Sequence, residues 1–245
     1  MELLWAVFLG LLQGLTEFLP VSSSGHLVLV QEFLPGFSQP GVLFDVVLHA
    51  GTLLAILFYF RRTILKIETR YLLLLGLATI PAALVGFFFS SLIEGIFRNT
   101  KIVGLALIFT AFLNFLTDKA KVRKEETSYL KAIWIGVAQA LAIVPGISRS
   151  GATIFAGTSL GIEKRKAAEF SFLLSVPAVI GANLLQFFNH GAKGVDDPVF
   201  YLIGFLAAFL SGFLAIGLVL KFLLARKFRF FALYCLFLGL LVLIF

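Results

Sequence analysis

Residues 13 to 26 read Gln-Gly-Leu-Thr-Glu-Phe-Leu-Pro-Val-Ser-Ser-Ser-Gly-His, which sets a carboxylate, three hydroxyls and an imidazole between two apolar stretches. A carboxylate at membrane depth is costly unless it has a partner or a task. Glu17 is therefore a candidate for substrate, proton or metal chemistry, and its plainer role is a buried ion pair that locks the chain together. Gln13 lies four residues earlier, on the same face of a helix that carries Glu17. Ser22, Ser23, Ser24 and Gly25 bring hydroxyls and backbone N–H groups to the start of a second helix, a combination that cradles phosphate or carboxylate. The plainer reading of the same residues is a helix N-cap. His26 follows directly, and an imidazole beside candidate nucleophiles is the natural general base or acid.

A partial echo stands at residues 139 to 153, Gln-Ala-Leu-Ala-Ile-Val-Pro-Gly-Ile-Ser-Arg-Ser-Gly-Ala-Thr. Aligning Gln13 with Gln139 brings Leu15 onto Leu141, Ser22 onto Ser148, Ser24 onto Ser150 and Gly25 onto Gly151, which points to an internal repeat. Here Arg149 sits between Ser148 and Ser150, with Gly151 and Thr153 behind it. Its planar, permanently charged fork suits phosphate.

These groups need elements to hold them, and composition limits the choice. The 245 residues are 60% hydrophobic and 13% charged, and the mean hydropathy is +1.03. That is the composition of an integral membrane protein, and unbroken apolar runs rather than short alternating ones make it all-α. The net charge of +7 does not argue for nucleic acid, because the basic residues fall in short clusters between apolar runs, as topology-setting charges do. Cys235 is the sole cysteine and forms no internal disulfide. The first apolar stretch has no basic leader or small-residue cleavage site, so no signal peptide is expected.

A span needs about 20 residues, and shorter runs suit re-entrant segments. Six spans are expected, at 41–61, 71–93, 100–117, 166–190, 198–221 and 229–245. Two further pairs of short runs, over 2–33 and 130–162, are broken in the middle by Pro20 and Gly25 and by Pro145, Gly146 and Gly151. Each pair reads as a re-entrant hairpin, and such backbone survives at membrane depth only inside protein or against a wet cavity. The expected architecture is thus one membrane domain of two repeats, 1–120 and 128–245, each a re-entrant hairpin followed by three spans. Sixteen of the twenty Lys and Arg residues lie in segments on one side of this layout, between Arg61 and Arg70, Lys119 and Lys131, Lys164 and Lys166, and Lys221 and Arg229. Only Arg98, Lys101 and Lys193 lie on the other. The bias puts the basic side in the cytoplasm and both termini outside, and the two halves become inverted copies whose hairpin tips meet near the midplane. Asp45 and Glu169 fall near the starts of equivalent spans and either cap helices or face the cavity. His49 lies in a span and His190 in an outer loop beside Asp196 and Asp197.

The stretch Gln13-Gly-Leu-Thr-Glu17 through Ser-Ser-Ser-Gly-His26, together with Pro145-Gly-Ile-Ser-Arg149-Ser-Gly-Ala-Thr153 and Phe44-Asp-Val-Val, resembles the undecaprenyl pyrophosphate phosphatase family, known for bacitracin resistance. The resemblance covers nearly the whole chain. It implies a multi-pass enzyme of the bacterial cytoplasmic (inner) membrane that removes the terminal phosphate of undecaprenyl pyrophosphate, with its site open to the outer face. The lipid carrier is thereby regenerated for peptidoglycan and other envelope polymers. A divalent cation, Mg2+ or Ca2+, is implied as cofactor, with Glu17 as its ligand. By position, Glu17 and Gln13 correspond to the family's acidic motif, Ser23 and His26 to its nucleophile and base, and Arg149 to its essential arginine. Gln13, Ser22, Ser24, Gly25, Ser148, Ser150, Gly151 and Thr153 are the expected substrate contacts. Glutamine at the first acidic position leaves one fewer carboxylate than the family's acidic form. Attack by Ser23, by His26 or by water are all open. The expected partners are a prenyl pyrophosphate lipid and the membrane, not nucleic acid, with a homodimer left open. The rival class is a secondary transporter or lipid-phosphate flippase, which inverted repeats also build.

Overall fold

Lipid offers backbone groups no hydrogen bonds, so long apolar runs satisfy their own by coiling into helices. A computed structural model of the chain describes residues 2–33, 42–89, 92, 95–96, 99–121, 123, 125–190 and 198–244. Among these the chain is helical, and strand-like pairing is limited to a single bridge between Glu125 and Ile162. In chain order the helices are α1 (Glu2–Phe18), α2 (Ser23–Phe33), α3 (Val42–Tyr59), the single turn α4 (Arg61–Ile64), α5 (Thr69–Phe88), α6 (Thr100–Lys119), α7 (Tyr129–Leu141), α8 (Arg149–Ser159), α9 (Lys164–His190), α10 (Pro198–Leu224) and α11 (Arg229–Ile244). Four of them are long and apolar enough to cross a membrane: Thr69–Phe88, Thr100–Lys119, Lys164–Leu184 and Pro198–Leu224. Leu3–Phe18, Leu43–Tyr59, Tyr129–Leu141 and Arg229–Ile244 are apolar but shorter. Large apolar side chains such as Leu72, Phe87, Leu214 and Phe237 stand exposed on the outside, which suits lipid and not water. The chain is an all-α integral membrane protein.

Both sequence-predicted breaks are present. Helix α1 ends just before Pro20, and Ser22 adopts a left-handed conformation (φ 71°) before α2 begins. Helix α7 stops short of Pro145, and Gly146 (φ 98°) turns the chain toward α8, which is N-capped by Ser148. Pro81 and Pro177 do not break their helices and sit inside α5 and α9. Helix α9 continues to His190, so the backbone at that position is helical and not the expected loop. Gly41, the residues 90, 91 and 93 at the end of the second expected span, Arg98, Lys124, Lys193, Asp196, Asp197 and Phe245 lie outside the described residues.

With lipid on every side there is little hydrophobic drive between helices, and close contact through small residues replaces it. Helix α1 packs along α10, α7 along α5, α6 along α11, and α3 against both α9 and α10. At Gly14 of α1 a Cβ would fall 2.5 Å from the Ala208 carbonyl oxygen and 2.7 Å from the Gly212 nitrogen. At Gly136 of α7 it would fall 3.0 Å from the Ala78 Cα of α5. On the basic side, the Asp118 carboxylate accepts from the N–H groups of Phe228 (3.1 Å) and Arg229 (2.9 Å), placing negative charge at the start of α11. Nearby, Lys131 Nζ donates to Glu125 at 2.6 Å, and this hydrogen bond, with the ammonium charge, holds the Glu125 carboxyl below the usual carboxylate range.

Replacing Gly14 with Val should destabilise the purified protein by about 1 to 3 kcal/mol or more through overpacking. Gly76→Ala, where the added Cβ has open space, should leave the thermal unfolding temperature in detergent unchanged or slightly raised.

Candidate functional site

The last turn of α1 carries Gln13 and Glu17 on one face, and both are buried. Gln13 Nε2 donates to Glu17 Oε2 at 3.1 Å, and Ser23 Oγ at the start of α2 donates to the same oxygen at 2.8 Å. The other carboxylate oxygen takes an ion pair from Arg149, the first residue of α8. Arg149 also donates to the Ser171 carbonyl of α9 at 3.4 Å. A buried charge pair holds best when it is hydrogen-bonded beyond the pair itself, and Gln13, Ser23 and the Ser171 carbonyl supply such bonds. His49 of α3 lies within electrostatic reach of Glu17 and donates from Nδ1 to the Asp45 carbonyl at 2.8 Å.

The two hairpin tips touch. Ser22 Oγ accepts from the N–H of Gly25 (3.3 Å) and from that of Gly146 (3.1 Å) on the other tip. Ser148 Oγ accepts from Gly151 N–H at 3.1 Å, as Ser22 does from Gly25. Helix α6 braces both tips: Thr110 Oγ1 accepts from Ser148 N–H (2.9 Å) and donates to the Gly146 carbonyl (2.8 Å), and Asn114 Nδ2 donates to the Pro20 carbonyl at 2.6 Å. Between the tips lies a cavity of about 40 Å³ lined by Thr16, Glu17, Ser22, Ser23, Ser24, Ala142, Ile147, Ser148 and Arg149. Its polar walls can hold an anion against Arg149.

His26 belongs to a separate network. Its Nδ1 is 2.7 Å from the Ser22 carbonyl oxygen, which can only accept, so Nδ1 carries the proton. In the neutral ring Nε2 is then an acceptor, and it lies 2.6 Å from the hydroxyl of Tyr234 on α11. Both ring nitrogens are occupied, and Ser23 Oγ donates its hydrogen bond to Glu17 and not to His26.

The family described as bacitracin resistance protein BacA matches residues 6–241. The chain belongs to the BacA family. It is 44% identical over 98% of its length to the undecaprenyl-diphosphatase of Syntrophotalea carbinolica, covering 97% of that protein. It is 42% identical to the protein of that name in Carboxydothermus hydrogenoformans, covering 98% of this chain and 95% of the other, and 37% identical to that of Methanobrevibacter smithii, covering 99% and 97%.

In this BacA-family chain the sequence-predicted residues Gln13, Glu17, Ser22, Ser23, Ser24, Ser148 and Arg149 are brought together at the cavity or in direct contact with its walls. The Gly25 and Gly151 N–H groups are already taken by Ser22 and Ser148. Ser150 Oγ bonds the Leu19 carbonyl (3.3 Å) and so ties the two hairpins, whereas Thr153 Oγ1 bonds the Arg149 carbonyl of its own helix (2.8 Å) and the Ser171 hydroxyl of α9 (2.6 Å). Glu169 lines a different cavity of about 130 Å³, with Tyr59, Phe60, Thr63, Arg165 and Leu220. Buried Phe18, Phe172 and Phe60 stand in a row between it and the site, Phe172 lying 5.6 Å from Phe18 and 6.2 Å from Phe60. Thr110, Asn114, Ser171 and Tyr234 were not foreseen. The first two had a readable signal, since polar residues four apart in an apolar span share a face.

Ser22→Ala would orphan two buried N–H donors and should lower stability by about 1 to 3 kcal/mol in thermal unfolding, whereas Ser24→Ala, at a half-buried hydroxyl, should have little effect on it.

Proposed function

We propose that this chain is an undecaprenyl-diphosphatase, which hydrolyses undecaprenyl pyrophosphate to undecaprenyl phosphate and inorganic phosphate and so recycles the lipid carrier for cell-wall synthesis. The observation that carries this reading is the convergence of Ser23, Glu17 and Arg149 on one cavity, in a chain whose full-length relatives bear that name. A transporter would have no task for a serine hydroxyl aligned on a carboxylate.

In the proposed topology two re-entrant hairpins, 2–33 and 130–162, and six spans form inverted repeats 1–120 and 128–245 in the cytoplasmic membrane, with both termini and the site facing outward. Its support is the sequence echo, the charge bias, and the matched packing of α1 on α10 and α7 on α5.

The pyrophosphate is taken to sit between the tips, its terminal phosphoryl group against Arg149 and the serine hydroxyls. Ser23 Oγ attacks the terminal phosphorus, the bond to the bridging oxygen breaks, and undecaprenyl phosphate leaves. The Ser23–Glu17 hydrogen bond favours Glu17 as first acceptor of the serine proton. Water then attacks the phosphoserine with its proton taken by a base, restoring Ser23 and freeing inorganic phosphate. His26 can serve as that base only through Nε2, since Nδ1 is held by Ser22. Arg149 offsets the charge that develops on the phosphoryl oxygens.

A divalent cation fits this site as a substrate-assisted one. Among the described residues no group of three His, Cys, Asp or Glu side chains could hold a metal ion, but Gln13 Oε1 is a buried acceptor with no partner, close to Glu17. Gln13 and Glu17 with phosphate oxygens would hold Mg2+ or Ca2+, which would supply further charge neutralisation.

Phosphate release from a prenyl pyrophosphate by purified protein tests the reading. Wild type should turn over and be silenced by EDTA, and Arg149→Ala, Glu17→Ala and Ser23→Ala should each lose about 10²- to 10³-fold or more in kcat. Near-normal turnover by Arg149→Ala would overturn the site.

A further inference from the structure

Tyr234 touches His26 and also stands on the exposed apolar surface of the protein. On α11 it shares a face with Phe230, Phe237 and Leu241, all exposed toward lipid, and it is itself 45% exposed. Its hydroxyl nevertheless reaches inward to Nε2 of His26, which is 7% exposed, and the two rings lie nearly parallel, 9° apart with centroids at 5.6 Å. Helix α11 is anchored on its other side, where Gly239 meets Gly104 of α6. Along the seam between α2 and α11, Val28 and Leu238 are partly buried against an apolar cluster of Leu29, Val103, Leu107 and Val242. The contacts described along this seam are apolar apart from the Tyr234–His26 bolt, with Cys235 Sγ donating to the Pro20 carbonyl (3.7 Å) at the hairpin tip beside it, and the bolt sits on the nitrogen of His26 that has a lone pair to offer.

A substrate with a long isoprenoid chain has its chain in the bilayer and its pyrophosphate in the site, so it must pass between two helices. We propose that the passage is the seam between α2 and α11 and that Tyr234 is its door, a positioning residue that closes on His26 in the substrate-free protein and swings outward as the isoprenoid chain enters. Opening breaks the Tyr234–His26 hydrogen bond and frees Nε2 in the same movement, so the histidine is exposed only when lipid is in place. No atom of Tyr234 takes part in the chemistry.

The proposal rests on the phosphatase reading above, and the experiment separates the two. Protein in liposomes is assayed with a long-chain prenyl pyrophosphate, which arrives through the bilayer, and with a one-isoprene pyrophosphate, which arrives from water. Tyr234→Phe keeps the ring and removes the bolt, so KM for the long chain should fall about two- to tenfold, the range one hydrogen bond covers, with its kcat unchanged, while KM for the short substrate stays as it was and its kcat rises because Nε2 is free without lipid. An equal change for both substrates, a fall in kcat, or no change would each overturn the door. Tyr234→Leu repeats the comparison should the Phe variant unfold. A second readout needs no turnover: the ¹⁵N imidazole spectrum of His26 should lose its Nε2 hydrogen bond on addition of a long-chain prenyl phosphate to wild type, and should lack it from the start in Tyr234→Phe. If wild type releases no phosphate from either substrate, the phosphatase reading fails, and the spectrum still decides the door, an unmoved His26 signal overturning it.

Discussion

The buried ion pair between Glu17 and Arg149 is the constraint around which the rest of the structure is arranged. Either charge buried alone would be strongly unfavourable, so neither half of the chain can bury its own without the other. That requirement explains why two helices stop in mid-course: only a chain that ends at Phe18 and restarts at Ser23, and another that ends at Leu141 and restarts at Arg149, can bring the two side chains to one point. The pair also keeps the site poised. A carboxylate holds the arginine in place, and under the proposed function an anionic ligand can take over part of that contact without stranding a bare cation.

Helix breaks buried inside the protein leave backbone groups without helical partners, and several of these groups find a named partner. The Pro20 carbonyl receives Asn114, the Gly146 carbonyl receives Thr110, and the Gly146 N–H finds Ser22 on the opposite tip. Helix α6 is thus a brace for both tips, and its own position is fixed by α11 and by the Asp118 cap at the start of that helix. Small residues along α1 and α10 let the hairpin lie close enough for these short side chains to reach.

What could be read from the sequence was what is local. Gln13 and Glu17 announce themselves because polar residues at helical spacing stand out in apolar sequence, and the breaks at Pro20 and Pro145 follow from backbone chemistry. Partnership across the chain was not readable in the same way. His26 looked paired with Ser23, three residues away, but the start of α2 turns the serine toward Glu17 and the imidazole toward Tyr234, 208 residues on. Asp45 and Glu169 looked equivalent by position, yet Glu169 opens on another cavity beyond three phenylalanines. Pro81 and Pro177 fall inside the expected spans 71–93 and 166–190 and are tolerated there because neighbouring helices can re-satisfy the freed carbonyls.

The alignment that revealed the echo also carries Ser23 onto Arg149, at the first residues of α2 and α8. Under the proposed repeat, equivalent positions of two inverted halves have diverged into a hydroxyl and a guanidinium, and both reach the same carboxylate. A symmetric frame alone could deliver only two like groups, whereas attack on a phosphoryl group needs unlike ones, a nucleophile on one side and positive charge on the other. Arg149 also stands at a helix N-terminus, where the backbone dipole is already positive. That placement disfavours the cation in isolation and deepens the well for an anion, so the asymmetry that the site needs is stored as an electrostatic tension that Glu17 relieves in the resting protein and that a phosphate group is suited to relieve in its place.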